Sequence, residues 1–231
     1  MLRNVRFLLA LVALVAALLA ITTAHADSST GADILPVPYR SQFDGSAYAG
    51  SNCGPTAIAM VLEAYGQDVP TQALRDRANQ LLGIYSPSSG TRTQDLARVV
   101  REHGLATFGL YYGQGRSHWT LDDIRREVQA GRPVVMLTFY PALPNHHGAA
   151  GISHYIVIVG LDGDNFLFND SATKSIQSGY RVPITAADLG RAWAASSVPY
   201  AAFSVASDGD GTGLAPVPPR NGIVVGRYLA L

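Results

Sequence analysis

Apolar positions follow two different rhythms along this chain. In the first half they recur at helical spacing, and in the second they form short, nearly continuous runs. Within "CGPTAIAMVLEAYG", Cys53, Ala57, Met60, Val61 and Ala64 share one helical face, and Gly66 closes the run. Thr71–Leu82 reads as a second helix with Thr71 at its N-cap, and Thr93–His103 as a third, stopped by Gly104. "LATFGLYY", from Leu105, is rich in β-forming residues and reads as a strand. Thr120 and Asp123 have the spacing of a capping box, which opens a helix running to Gln129 or Ala130. Beyond Gly131 the rhythm changes. "PVVMLTFY", "SHYIVIVGL", "NFLFND", "YRVPI" and "YAAFSV" are β-branched or aromatic runs bounded by Gly, Pro and Asn. One helix, around Ala186 to Ala195, interrupts them. Helices first and strands later predict an α+β domain, with N-terminal helices packed on a mainly antiparallel C-terminal sheet.

The two ends depart from this pattern. Residues 1–26 combine Arg3 and Arg6, an apolar run from Phe7 to Ile21, and the small-residue ending Ala24-His25-Ala26. That is the grammar of a secretory signal peptide, with cleavage expected before Asp27. The competing reading is an uncleaved anchor, but the run is shorter than the ~20 residues a spanning helix needs. No later segment is long and apolar enough to span, so the processed chain is expected to have no integral span and to be secreted or extracytoplasmic, free or attached to the cell surface. The folded domain is expected over residues 27–206. Ser207–Pro219 reads as a Gly/Pro linker, and "NGIVVGRYLAL" as a last strand or an attachment tail, so residues 207–231 stand apart. The chain carries 17 basic and 17 acidic residues. Losing Arg3 and Arg6 tips it slightly acidic, and without a basic stripe nucleic acid is not an expected partner. The sequence leaves the oligomeric state open.

Cysteine usage sharpens the picture. An exported chain with a single cysteine, Cys53, cannot form an internal disulfide. The thiol is then either a small buried apolar group or a reactive one. A helix N-terminus and a nearby histidine are the two devices that lower a thiol pKa toward a nucleophilic thiolate. Cys53 has the first, because Pro55 is tolerated only in a first turn. Gly54 is expected to leave that turn open to a substrate.

The histidines rank as follows. His25 leaves with the signal peptide, His103 ends a helix beside Glu102, and His118 lies just outside an N-cap. His146 and His147 occupy a Pro/Asn/Gly loop with no carboxylate near them in sequence, so no metal is predicted and no catalytic part is assigned to them. His154 opens the most apolar strand, rigidly held yet at its rim; the alternative is a satisfied core histidine. In a hairpin turning at Asp162–Asp164, the start of that strand meets Asp170 at the end of the next. Asp170 can therefore orient the ring. Asn169 competes for this part, although alternation turns it to the opposite face. One oxyanion donor is expected from the Cys53 backbone amide; Gln42, upstream in the chain, carries a side-chain amide that could supply a second, but by itself a loop glutamine reads as merely polar.

Taken together, "VPYRSQ", "NCGPTAIAMVLEAYG", "SHYIVIVGL" and "FLFNDSA" resemble the papain-like cysteine peptidases of the bacteriocin-leader-processing (double-glycine peptidase-like) type, above all their stand-alone secreted relatives. The resemblance covers about Val37 to Ala206. It implies a papain-like fold, a peptide or protein substrate and no cofactor, with Cys53 as nucleophile, His154 as base, Asp170 as orienting group and Gln42 in the oxyanion hole. The sequence departs from the pattern in the ten residues between Gln42 and Cys53 and in the Ile152-Ser153 pair before His154. The expectation is peptide-bond hydrolysis through a thioester. A cysteine-dependent amidase or acyltransferase acting on a cell-wall component and a non-catalytic papain-like binding module are the alternatives.

Overall fold

The computed structural model describes residues 33–109 and 119–217. The expected signal peptide, the end of the run from Leu105, His118 and the expected last strand lie outside them. Among the described residues, seven antiparallel strands make one sheet: β1 (Asp33–Ile34), β2 (Ala106–Phe108), β3 (Val134–Phe139), β4 (Ser153–Asp162), β5 (Asn165–Asn169), β6 (Val182–Ile184) and β7 (Ala202–Ala206). The order is β2-β7-β3-β4-β5-β6, with β1 pairing the far end of β4. Six α-helices of the described residues accompany it: α1 (Cys53–Ala64), α2 (Thr71–Leu82), α3 (Thr93–Glu102), α4 (Leu121–Gln129), the short α5 (Ile176–Gly179) and α6 (Ala186–Ala194). This is the α+β arrangement that the change of rhythm predicts.

Helix α1 is buried further round than its spacing suggests. Every residue from Gly54 to Leu62 is buried, because β4 packs on one side of it and α2 and α3 on others. A helix covered all round needs apolar residues all round, and "AIAMVL" supplies them. The expected substrate-facing part for Gly54 does not hold. A Cβ there would lie 2.3 Å from Thr91 Oγ1 and 2.8 Å from Leu96 Cδ1, so the glycine is required by packing against α3 and the segment before it. Strand β4 is equally enclosed, with both faces buried from His154 to Leu161.

Thr71 is the first helical residue rather than the N-cap; Pro70 takes the cap position and donates no backbone hydrogen. The Thr120 capping box forms as expected. Thr120 Oγ1 accepts the Asp123 amide at 3.2 Å, and the Asp123 carboxylate accepts the Thr120 amide at 2.6 Å. After β7 the chain is tied down as far as Val217. Asp208 Oδ1 accepts the amides of Asp210 and Thr212, the Leu214 amide reaches Gly131 O at 2.7 Å, and the Val217 amide reaches Ile34 O at 2.9 Å. Strands β4 and β5 turn at Gly163-Asp164, and a bulge at Val159 breaks their register between Ile158 and Gly160. The glycine at Gly160 admits β1, since a Cβ there would stand 2.8 Å from Asp33 O.

Candidate active site

Three elements deliver the site: the first residue of α1, the second residue of β4 and the residue after β5. Cys53 is half-buried at the helix start and is the only free thiol. Asn52 precedes it without a side-chain cap, so the first amides of the helix remain free of one. Those amides favour a negative sulfur.

His154 is buried. Its Nε2 lies 2.8 Å from Asp170 Oδ1, and its ring stands close enough to the Cys53 thiol to lower that thiol's pKa. The last paired residues of the hairpin are Val157 and Asn169. His154 thus stands three residues beyond the ladder on one strand and Asp170 one residue beyond it on the other, and the carboxylate reaches back diagonally. The neighbouring Asn169 points to the other face. Its Nδ2 donates to the carbonyls of Val37 and Pro38 at 3.3 and 3.1 Å, and its Oδ1 accepts the Arg181 amide at 3.0 Å.

Gln42 joins this group through Ser171. The Gln42 amide donates to Ser171 O at 2.9 Å, while Ser171 Oγ donates to Gln42 Oε1 at 3.1 Å. Gln42 Nε2 donates one hydrogen to Ala49 O at 3.0 Å. A carbonyl only accepts, so this contact fixes which end of the amide is nitrogen. The ten residues between Gln42 and Cys53 fold into a knot of short turns. Asp44 caps the Ser46 amide at 2.9 Å, Asn52 Nδ2 reaches Asp44 and Ser46, and Ala49–Ser51 close a 3₁₀ turn. The extra length is taken up locally.

The electrostatics favour an ion pair. Burial disfavours the Cys53 thiolate, but the His154 ring and the amides of Tyr155 and Gly54 outweigh it and lower the thiol pKa. Burial likewise works against a charged His154, yet its bonds to Asp170 and Cys53 raise it to about 9. Burial opposes ionisation of Asp170; hydrogen bonds from His146, His154 and the Ala172 amide nonetheless hold its carboxyl well below the usual range. These shifts act together, favouring a thiolate beside an imidazolium that is itself paired to a carboxylate.

A cavity of about 390 Å³ opens beside the sulfur, lined by Cys53, Thr91, Arg92, Leu137, Tyr155 and Val198 among others. A second hollow of about 440 Å³ lies between Ser41, Phe43, Ala49 and Lys174. A family model described as the Peptidase_C39 like family matches residues 34–198.

The chain belongs to this family.

A Peptidase_C39-like chain is a cysteine-type peptidase, and the family's substrate is a peptide. No curated protein matched it. Among solved structures it is similar to a protein described as a C39-like peptidase from Bacillus anthracis, at 20% identity and a TM-score of 0.54, over 75% of this chain and 96% of that one. It is also similar to a double-glycine-motif protease from an AMS/PCAT transporter, solved with the leader peptide (20% identity, TM-score 0.48, 74% and 91% covered). A third is the peptidase domain of Streptococcus ComA, a bi-functional ABC transporter of a quorum-sensing pathway (14% identity, TM-score 0.48, 73% and 96% covered). The fold is papain-like.

Sequence reasoning missed three contributors. Ser171 carries no signal in the sequence beyond its place in "FLFNDSA", yet its hydroxyl holds the Gln42 side chain. Arg75 is fully buried on α2. It donates to Ser51 O at 3.0 Å and Ser89 O at 2.7 Å, tying the turn before Cys53 to the loop that leads into the cavity wall. An arginine at a helical position ordinarily reads as solvent-exposed, and nothing in its spacing says otherwise. The third is His146, whose partner carboxylate is supplied from 24 residues away.

Proposed function

We propose that the processed chain is an exported peptidase that hydrolyses peptide bonds through a thioester on Cys53. The observation that carries this reading is the convergence of the Cys53 thiol, whose pKa the His154 ring lowers, with the His154–Asp170 hydrogen bond of 2.8 Å. The thiolate attacks the scissile carbonyl carbon, and the resulting oxyanion accepts from the Cys53 backbone amide and the second Nε2 hydrogen of Gln42. His154 gives its proton to the leaving amine as the C–N bond breaks, leaving an acyl group on sulfur. Neutral His154 then takes a proton from water, whose hydroxide attacks the thioester. Release of the carboxylic acid restores thiolate and imidazolium. Asp170 stays ionised and holds the ring plane throughout. The export reading is supported by the charged start, apolar run and small-residue ending of residues 1–26.

Iodoacetamide alkylation followed by peptide mass spectrometry tests the reading without a known substrate. Cys53 should react well below the pH of an ordinary thiol. For turnover, the pH profile should be a bell whose alkaline limb falls near 9, where His154 loses the proton needed by the leaving group. A rate that keeps climbing above that pH, as an unpaired thiol would give, rejects the ion pair. Expression in a bacterial host and N-terminal sequencing of the exported protein test processing, with Asp27 expected as the first residue.

The oxyanion assignment carries its own expectation. Gln42→Ala should lower kcat by about 10²–10³-fold, as loss of one such donor does elsewhere. Ser171→Ala should cost less, because it frees the amide to rotate without removing it. Equal kcat in wild type and Gln42→Ala would remove Gln42 from the site.

A further inference from the structure

His146 was expected to have no catalytic part, yet the fold brings it against the one carboxylate of the site. Its Nε2 lies 2.6 Å from Asp170 Oδ2, while His154 Nε2 takes Oδ1 at 2.8 Å and the Ala172 amide takes Oδ1 at 2.8 Å. A carboxylate carries no hydrogen, so both imidazoles donate through Nε2. The His146 ring is held on its face by Tyr140, with centroids 4.2 Å apart and planes 30° apart; the same tyrosine ring stands 5.0 Å from His154. The loop is folded to present it. Asn145 takes a positive φ of 67°, the His146 amide donates to Leu143 O at 3.2 Å, and Leu143 is fully buried. Its neighbour His147 is exposed and serves as an internal control.

We propose that His146 is a positioning residue for the peptidase reaction: its Nε2–H clamps the second oxygen of Asp170, so that the carboxylate plane cannot turn away from His154. The proposal rests on the reading of Cys53, His154 and Asp170 as the working line. An Asp side chain has a broad, nearly two-fold terminal torsion. Held at one oxygen only, Asp170 would rock about that bond and admit water to the other oxygen. Held at both, it keeps Oδ1 directed at the His154 ring, and so keeps the ring directed at sulfur. The alternative part for His146, a metal ligand, is disfavoured because its Nε2 is already engaged, and no cluster of three metal-binding side chains occurs among the described residues.

The test compares His146→Ala, His146→Gln and His147→Ala with wild type. Glutamine places an N–H near the position of Nε2 and should restore what alanine loses. Two measurements are made on each. The first is the iodoacetamide alkylation rate of Cys53 against pH, where His146→Ala should fall about tenfold near pH 6 as the imidazolium loses support. The second is the low-field proton resonance of His154 Nε2–H, read by NMR, which should move or broaden in His146→Ala. In both, His146→Gln should lie close to wild type and His147→Ala should match it. The NMR arm does not depend on thiol chemistry. If wild-type Cys53 alkylates like a free thiol, the functional reading fails while the resonance still decides the clamp. Melting curves separate local from global damage. An unchanged resonance in His146→Ala, or a glutamine variant as impaired as alanine, overturns the proposal.

Discussion

Cys53→Ser should lower turnover by roughly 10⁴–10⁶-fold, the scale seen when a catalytic unit loses its nucleophile. The exchange replaces sulfur with a smaller, far less acidic oxygen. In the wild-type site the His154 ring and the amides of Tyr155 and Gly54 lower the thiol pKa and so favour the thiolate that the proposed reaction uses. A hydroxyl at the same place stays protonated, so those donors face a neutral group and His154 keeps only Asp170 to support its charge. Stability should change little, because Cys53 is only half-buried and the swap adds no bulk. Calorimetric melting within a few degrees of wild type is expected, with peptide turnover at background. Turnover within about tenfold of wild type would place the chemistry on another residue.

Asp170→Ala is the second large effect, and its value lies in the comparison with Asn169→Ala. Asp170 accepts from two histidines and one backbone amide. Its removal should reduce turnover by about 10–10⁴-fold on the template of a catalytic triad, and move Cys53 alkylation to higher pH. Asn169 serves the backbone of the segment entering the domain and the Arg181 amide. Its loss leaves buried carbonyls and an amide unpaired, at about 1–3 kcal/mol, so Asn169→Ala should lower Tm while leaving the alkylation profile in place. The carboxyl of Asp170 is depressed in the fold, so its share of stability is complete above the unfolded value of about 4 and is lost as pH falls below it. Asp170→Ala should therefore flatten the acid side of the stability curve. A shifted alkylation profile in Asn169→Ala and an unshifted one in Asp170→Ala would reverse the two parts.

What could be read from the chain follows from how local each signal is. The helices from Cys53 to Glu102 and the run of strands from Val134 announce themselves by spacing, and Asp162–Asp164 announces a turn. Once that hairpin is drawn, His154 and Asp170 fall together, and alternation sends Asn169 the other way. Contacts made by loops are a different matter. The bond from Ser171 to Gln42 joins residues 129 apart, and the reach of His146 to Asp170 depends on a loop path set by Asn145 and Leu143. No periodicity encodes either. Gly54 was legible as a glycine but not for its reason, because Thr91 and Leu96 come against it only when α3 has docked.

Strand β1 pairs with Gly160 and Leu161 on β4, and Val217 hydrogen-bonds to Ile34 in the same place. The first and last described residues of the domain therefore share one corner. Along β4 that corner stands six residues from His154, or about 20 Å at the rise of an extended strand. That is the end of β4 away from the residue that pairs with Asp170. The described chain thus enters and leaves through a single doorway, so a cut or graft at Asp33 or Val217 falls at the opposite end of β4 from His154.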